Sequence, residues 1–386
     1  MTPRATQRLG LAALALLSYV PLLLTAPGQV AADTKAYLYT DPARLIARAG
    51  WMWDPNVAAG TVTHQTIGYL FPMGPYYWVF DQLGVPDWIA QRLWLGTILF
   101  AAATGTAWLL RRLGLGLVGA SCAGVVYMAS PYILPYFGRT SALLLPWAAL
   151  PWLTGLLMLS LRRGGWRAPV MFGLVLTLVG GTNASSLVFV AIGPALWLPF
   201  ALWVWREVAP RQALAALGRL ALTCIPAQLW WIAGLRIQGR YGLPILELTE
   251  SVETVGQTST AAEVGRGMGY WYAYGRDSLS PWTPPAVDHT QRLWLIAASF
   301  AVPALAVLAA LSLRWRYRAY FAALAVVGLV VGVGTYPYGD PPLFGWLVKT
   351  AADRWAAALA LRNTPRAVPL LVLAMAALLG AGVDAL

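Results

Sequence analysis

This sequence predicts an all-α polytopic membrane protein of about ten transmembrane helices, on three observations. Apolar residues fill 59% of the 386 positions and charged residues only 11%, with a mean hydropathy of +0.62; a soluble domain carries about a quarter charged residues. Apolar runs near twenty residues, the length that spans a bilayer as a helix, recur along the chain. The charges between those runs are distributed unequally between the two sides of the membrane.

The runs lie at 9–26, 88–110, 114–132, 141–161, 168–182, 186–205, 215–235, 291–313, 319–335 and 366–384. The first follows Arg4 and Arg8 and has the look of a signal peptide, with 26–32 as its cleavage region. We read it as a retained span, because the acidic motif after it needs an anchor and Pro21 is tolerated in a membrane helix. The fifth run is short, and Gly180-Gly181 marks its end.

With the N-terminus in the cytoplasm, alternation puts thirteen arginines and the single acid Glu207 on the cytoplasmic side. The other side holds fourteen basic and thirteen acidic residues, with Asp384 left at the chain end. This is the positive-inside signature. It accounts for much of the net charge of +12 without a nucleic-acid partner. All long segments (27–87, 236–290 and 336–365) then face outward. The cytoplasmic connections are short and hold no G-x-x-x-x-G-K-[ST] loop, so ATP does not drive the protein directly and its work is done outside.

Within the first outer segment, Asp33-Thr34-Lys35 stands directly beyond the first span. A lone juxtamembrane Asp is commonly just solvated. Asp33, however, has few charged neighbours and faces the side where the long segments converge, so it is a candidate general base towards a sugar hydroxyl. Asp54 is a second carboxylate for a hydrolase-type pair, although Asp54-Pro55 is also plain turn chemistry. Asp41-Pro42 predicts a helix start, with Asp as N-cap and Pro at the first helical position. Leu45, Ile46, Ala49, Met52 and Trp53 would form one apolar stripe of an interfacial helix, with Arg44 and Arg48 together on its polar side. Those arginines suit headgroup contact or the binding of a lipid-linked phosphate. His64 and Gln65 precede the run GYLFPMGPYY (68–77).

The segment 236–290 changes character midway. Glu247, Glu250, Glu253 and Glu263 among Ser and Thr predict a mobile solvated stretch. Residues 266–282 (RGMGYWYAYGRDSLSPW) then crowd Tyr270, Trp271, Tyr272, Tyr274 and Trp282 around Arg266, Arg276 and Asp277. That run reads either as an aromatic belt or as platforms for sugar rings or an isoprenoid chain. Leu343–Leu361 predicts another surface helix, with Lys349, Asp353 and Arg354 on its polar face. Asn183-Ala184-Ser185 matches a glycosylation acceptor, but it lies so near the membrane that it reads as a tight outer turn. Gly328 and Gly332 predict a close helix–helix contact. Cys122 and Cys224 fall inside spans and read as free thiols. His64 and His289 are too few for a His-rich metal site. The acidic outer segments leave a divalent cation open, with no ligand spacing that assigns one.

Asp33-Thr34-Lys35, GYLFPMGPYY (68–77), LLLPWAALPW (143–152), GGTNAS (180–185) and RGMGYWYAYGRD (266–277) together resemble the N-terminal membrane region of the AftD-type α-(1→3)-arabinofuranosyltransferases of mycobacterial and related cell walls. These are GT-C membrane glycosyltransferases, and the resemblance covers roughly residues 9–335. It implies a GT-C-like fold in the plasma membrane, a polyprenyl-phosphate-linked donor (decaprenylphosphoryl-β-D-arabinofuranose) and an arabinan acceptor of arabinogalactan or lipoarabinomannan. It implies direct displacement with inversion, with Asp33 taking the proton of the acceptor O3. Lys35, Arg44, Arg266 and Arg276 become candidates for the donor phosphate. His64, Gln65 and Tyr69 become candidates for the sugar site, and Tyr270 and Trp271 for lipid or acceptor. Family members continue well beyond residue 386 with a large outer carbohydrate-binding region, so this chain is expected to be a fragment, a split product or a reduced homologue. A separately encoded carbohydrate-binding partner would fit that departure.

Two other readings stand beside this one. Another polyprenyl-phosphate-sugar-dependent transferase, such as a mannosyltransferase, would share the topology. A lipid-sugar flippase or a non-catalytic membrane subunit is the reading from another class. A transporter places ionisable residues near the midplane of its spans, and these spans hold essentially none.

Overall fold

The computed structural model describes residues 3–386, excepting the side chains of residues 3, 4, 65 and 66. Ten apolar helices stand where the ten runs predict them. In chain order they are α1 (Pro3–Leu24), α2 (Asp87–Arg112), α3 (Leu117–Met128), α4 (Leu145–Arg163), α5 (Arg167–Gly180), α6 (Ala184–Val204), α7 (Pro210–Tyr241), α8 (Leu293–Ser312), α9 (Arg318–Val333) and α10 (Val368–Ala385). α8 is interrupted at Phe300.

The ten helices differ in length. Seven of these helices are long and apolar enough to cross a membrane, whereas α3, α5 and α9 are shorter. Each short helix is stopped by its own sequence. Pro131 forces Ser130 into extended backbone after α3 (ψ 145°). Arg167 and Gly180-Gly181 bound α5, and Gly334, at φ +55°, ends α9. α7 in turn runs past the predicted end at 235 to Tyr241.

α10 and α4 form the interior, with Leu370, Leu373, Ala374, Ala377, Leu150 and Leu153 buried. α1, α7 and α8 turn Leu16, Leu222, Ile225 and Leu308 outward, as lipid-facing helices do. Small residues set the closest approaches. A Cβ on Gly119 of α3 would lie 2.4 Å from the Gly380 carbonyl oxygen of α10, and one on Gly328 of α9 would lie 2.5 Å from Leu371 N. The close contact expected of Gly328 and Gly332 is therefore made against α10 and, at Gly332, also Val264.

On the side of the short connections, Glu207 is held by Arg162 at 2.6 Å and Arg316 at 2.8 Å, tying three connections together. On the opposite side the long segments interlock. Asp41 caps the helix Pro42–Arg48, accepting Arg44 N at 3.2 Å, as predicted. The predicted stripe stops there, however. The helix ends at Arg48, and Trp53–Asp54 pairs with Thr61–Val62 in a small hairpin, so Met52 and Trp53 leave its face.

The glutamate-rich stretch is also ordered rather than mobile. Ser251 and Thr260 cap the helices Val252–Thr258 and Ala261–Gly265, Glu250 pairs with Arg362, and Glu263 pairs with Arg266. The expected surface helix is Leu343–Arg354, with Lys349 bonded to Tyr338 O at 3.1 Å and seated over that tyrosine ring. Cys122 and Cys224 are free thiols.

Candidate active site and the long-loop cavity

Asp33 lies in a turn strapped to the first half of α2. Gln91 exchanges two hydrogen bonds with the Ala31 backbone at 2.8 Å each, and Tyr39 OH donates to Ala31 O at 2.9 Å. Arg92 Nη2 donates to Gln29 O at 3.1 Å. The chain then turns sharply at Thr34, whose φ of +54° is unusual for a β-branched residue. Thr34 N is anchored on Arg139 O at 2.6 Å.

This geometry turns the Asp33 carboxylate inward, 3% exposed. Oδ1 accepts Ser141 N at 2.7 Å and the Thr34 hydroxyl at 3.1 Å, and Oδ2 accepts the Ser141 hydroxyl. Trp94 Nε1 donates to Ser141 Oγ at 3.1 Å, which leaves the serine proton for the carboxylate. Burial pushes the Asp33 carboxyl above the ordinary carboxylate range, against the opposing pull of its bonds from Ser141 and Thr34. The result is a buried, oriented carboxyl group whose proton affinity is raised. Tyr69, Tyr77 and Tyr39 lie within its field, and burial together with Tyr37 and Asp33 pushes the Tyr69 phenol up to about 12.

The other residues nominated from sequence divide. Lys35 is half-buried on the same turn, with no ion pair or hydrogen-bond partner for its side chain among the described residues. Arg44 is exposed on the helix Pro42–Arg48, and Arg276 is exposed beside its backbone bridge to Pro281. Arg266 is sealed: Glu263 binds it through two bonds of 3.0 Å, with Ser299 at 3.1 Å and His289 O at 2.6 Å completing its shell. Its charge is already neutralised, which removes it as a free phosphate ligand. Asp54 is engaged by Arg48 at 3.5 Å and by Asn56.

Tyr270 is buried and stacks on Tyr136 at 4.7 Å. Trp271 packs edge-on to Tyr272 and Trp282. These aromatics bind one another rather than forming an open platform. No group of three or more metal-ligating side chains comes together among the described residues.

His64 and the GGTNAS stretch meet in a larger feature. A cavity of about 640 Å³ opens among the long segments, bounded by residues 181–185, the end of α7, the segment 243–250 and residues 356–366. His64 accordingly lies on its wall rather than beside Asp33. Gln238 Oε1 accepts both His64 N at 2.9 Å and Nδ1 at 2.5 Å, so Nδ1 carries the proton. Burial lowers the imidazole pKa, which keeps His64 neutral at pH 7. Gln65 opens the helix Gln65–Leu70, and its side chain lies outside the described residues.

Sequence reasoning missed Ser141, Gln238, Arg362, Asn363 and Arg366. One signal was available for the last: Arg366 stands inside the edge of an apolar run, where an ionisable residue marks a functional position.

Comparison with known proteins gives consistent results. A family model described as α-(1→3)-arabinofuranosyltransferase, N-terminal GT-C domain, matches residues 17–385. The α-(1→3)-arabinofuranosyltransferase of Mycobacterium tuberculosis is 33% identical over 264 residues, covering 65% of this chain and 18% of the relative. That of Mycolicibacterium smegmatis is 31% identical over 295 residues, covering 74% and 19%. The cryo-EM structure of arabinofuranosyltransferase AftD from Mycobacteria shares the fold at a TM-score of 0.68 and 24% identity, covering 97% of this chain and 24% of that one. This chain thus spans less than a fifth of the length of these curated relatives.

Proposed function

Since this chain belongs to the family of α-(1→3)-arabinofuranosyltransferase N-terminal GT-C domains, we propose that it transfers D-arabinofuranose from a polyprenyl-phosphate donor to an arabinan acceptor on the outer membrane face. Its multi-pass membrane character is evident from the seven spanning-length helices and the shared fold. The observation that carries the mechanistic reading is the buried, hydrogen-bonded Asp33 carboxyl on the long-loop side.

In this reaction the acceptor O3 bonds to the anomeric carbon of arabinose as the bond from that carbon to the phosphate oxygen breaks. The bonding pair leaves on the polyprenyl phosphate, the configuration inverts, and the acceptor proton passes to Asp33. A carboxylate whose proton affinity is raised by burial is a stronger base than an exposed one, which suits this task. Ser141 and Thr34 hold both of its oxygens in place, which supplies the fixed orientation that proton transfer requires. Lys35 is the nominated cation on the same turn that remains free of a carboxylate. The strong excess of arginine on the short-connection side supports an orientation with the N-terminus in the cytoplasm and Asp33 outside.

The test is transfer from synthetic polyprenylphosphoryl-arabinofuranose to a short arabinan by membranes carrying the native chain or Asp33→Asn. Transfer by the native chain that disappears in Asp33→Asn is the expected result. Full activity in Asp33→Asn would sink the assignment of the base.

A further inference from the structure

The transfer chemistry above makes no use of the deep end of the long-loop cavity, although that end is built from buried polar groups. It contains the N-terminus of α6, where Asn183 Oδ1 accepts Ser186 N at 2.9 Å. The N–H groups of Ala184 and Ser185 have no acceptor within the helix, and the positive end of the helix dipole points the same way. Arg366, only 9% exposed, donates to Asn183 Oδ1 at 3.2 Å and to the Ser185 hydroxyl. No carboxylate lies within ion-pair distance of it among the described residues.

Several buried atoms here lack any partner: Arg366 Nε, Arg362 Nε, Asn363 Oδ1 and Thr182 Oγ1. Two carboxylates line the cavity: Glu247 is exposed, and Glu250, half-buried, is taken up by Arg362 at 3.3 Å and by Asn363. A buried guanidinium without a counterion is costly in a low-dielectric setting, and buried donors without acceptors add to that cost. Towards its mouth the cavity turns apolar, with Leu235, Leu243 and Ile245 partly exposed near the lipid-facing end of α7. One end therefore calls for an anion, and the other suits a hydrocarbon chain.

We propose that this cavity binds a phosphate group through Arg366 and the α6 N-terminus, and that its apolar mouth receives the chain carrying that phosphate. Helix N-termini and arginine forks are the standard protein ligands of phosphate. The site supplies the positive charge for which Arg266 is no longer free. Which phosphate it holds, the donor's or the leaving group's, rests on the transfer reading.

The test is direct binding to the purified chain in detergent, followed by the fluorescence of its tryptophans, of which Trp231 lines the cavity. The probes are farnesyl phosphate, farnesol and inorganic phosphate. Farnesyl phosphate should bind at least tenfold more tightly than farnesol, and Arg366→Gln should weaken it at least tenfold. Arg366→Lys should recover part of the loss, and Leu222→Ala, on the lipid-facing side of α7, should bind as the native chain does. Inorganic phosphate binding as tightly as farnesyl phosphate, in an Arg366-dependent way, would support the anion site and identify its source as free phosphate.

Equal binding of farnesol, or unchanged binding in Arg366→Gln, overturns the proposal. Should Arg366→Gln fail to elute as a folded particle, Asn363→Asp replaces it: the added negative charge should weaken farnesyl phosphate and leave farnesol unaffected. Unchanged binding there overturns the proposal equally. The two readings fail separately. Arg366-independent binding with transfer lost in Asp33→Asn removes this site alone, and Arg366-dependent binding with no transfer by the native chain removes the transfer reading alone.

Discussion

At the scale of the residue, the protonation of Asp33 is the controlling quantity. Its folded-state pKa is raised by burial, so the folded chain favours the protonated form, and ionising Asp33 at neutral pH costs stability. Asp33→Asn removes that ionisation. We expect it to abolish transfer without lowering the thermal aggregation midpoint, a combination that a merely structural role would reverse. A base must be ionised, so activity should fall as pH drops through the Asp33 pKa. The acid limb of the kcat/KM profile should therefore lie above the ordinary carboxylate value of about 4. Ser141 lowers that pKa through two hydrogen bonds to the charged form. Ser141→Ala deletes the hydroxyl bond, and hydrogen bonds to charged groups contribute about 1.5–3 kcal/mol each. The acid limb should then move further up in pH. A pH-rate profile of the two chains checks the sign.

At the scale of the element, packing depends on where backbones touch. Gly119 and Gly380 bring α3 and α10 into backbone contact, leaving no room for a side chain. Gly119→Leu should lower stability by about 1–3 kcal/mol or more, as overpacking does. Leu222→Ala on the lipid-facing side of α7 should change little; detergent-phase melting of both variants tests the contrast. The segment 356–366 is held to the segment before Val252 by the Glu250 pair with Arg362 and Asn363. Glu250→Gln leaves Arg362 buried without a counterion, and such a loss costs about 3–5 kcal/mol. It should speed limited proteolysis within the 242–250 stretch relative to the native chain. The helix Pro42–Arg48 shows how a local signal is read correctly at one end and lost at the other. Its cap is a contact between residues three apart, whereas its end is set by the hairpin that follows.

At the scale of the whole molecule, the long segments meet on one side and the arginine-rich connections on the other, because alternate helix ends carry them. The proposed orientation makes a direct prediction. In a chain carrying Cys122→Ala and Cys224→Ala, Ser278→Cys should react with a membrane-impermeant maleimide in intact cells. Trp166→Cys, exposed on the opposite side, should react only after permeabilisation. The reverse pattern would invert the topology and remove Asp33 from the outer face.

The sequence by itself determined the ten helices, their order and the asymmetry of charge, because each rests on contiguous residues: the length of an apolar run, a proline or glycine at its end, an arginine beside it. It also determined the Asp41 cap, and through its motifs the family and the nomination of Asp33. Tertiary structure decided the rest. Ser141, which orients Asp33, is 108 residues away from it, and Asn183 is 183 residues from Arg366. Glu263 lies three residues before Arg266, yet Ser299 and the His289 carbonyl complete the shell that seals it. Charge type and spacing say that an arginine is present, but whether its charge is spent on a carboxylate or left open in a cavity depends on neighbours that only the folded chain brings within hydrogen-bonding distance.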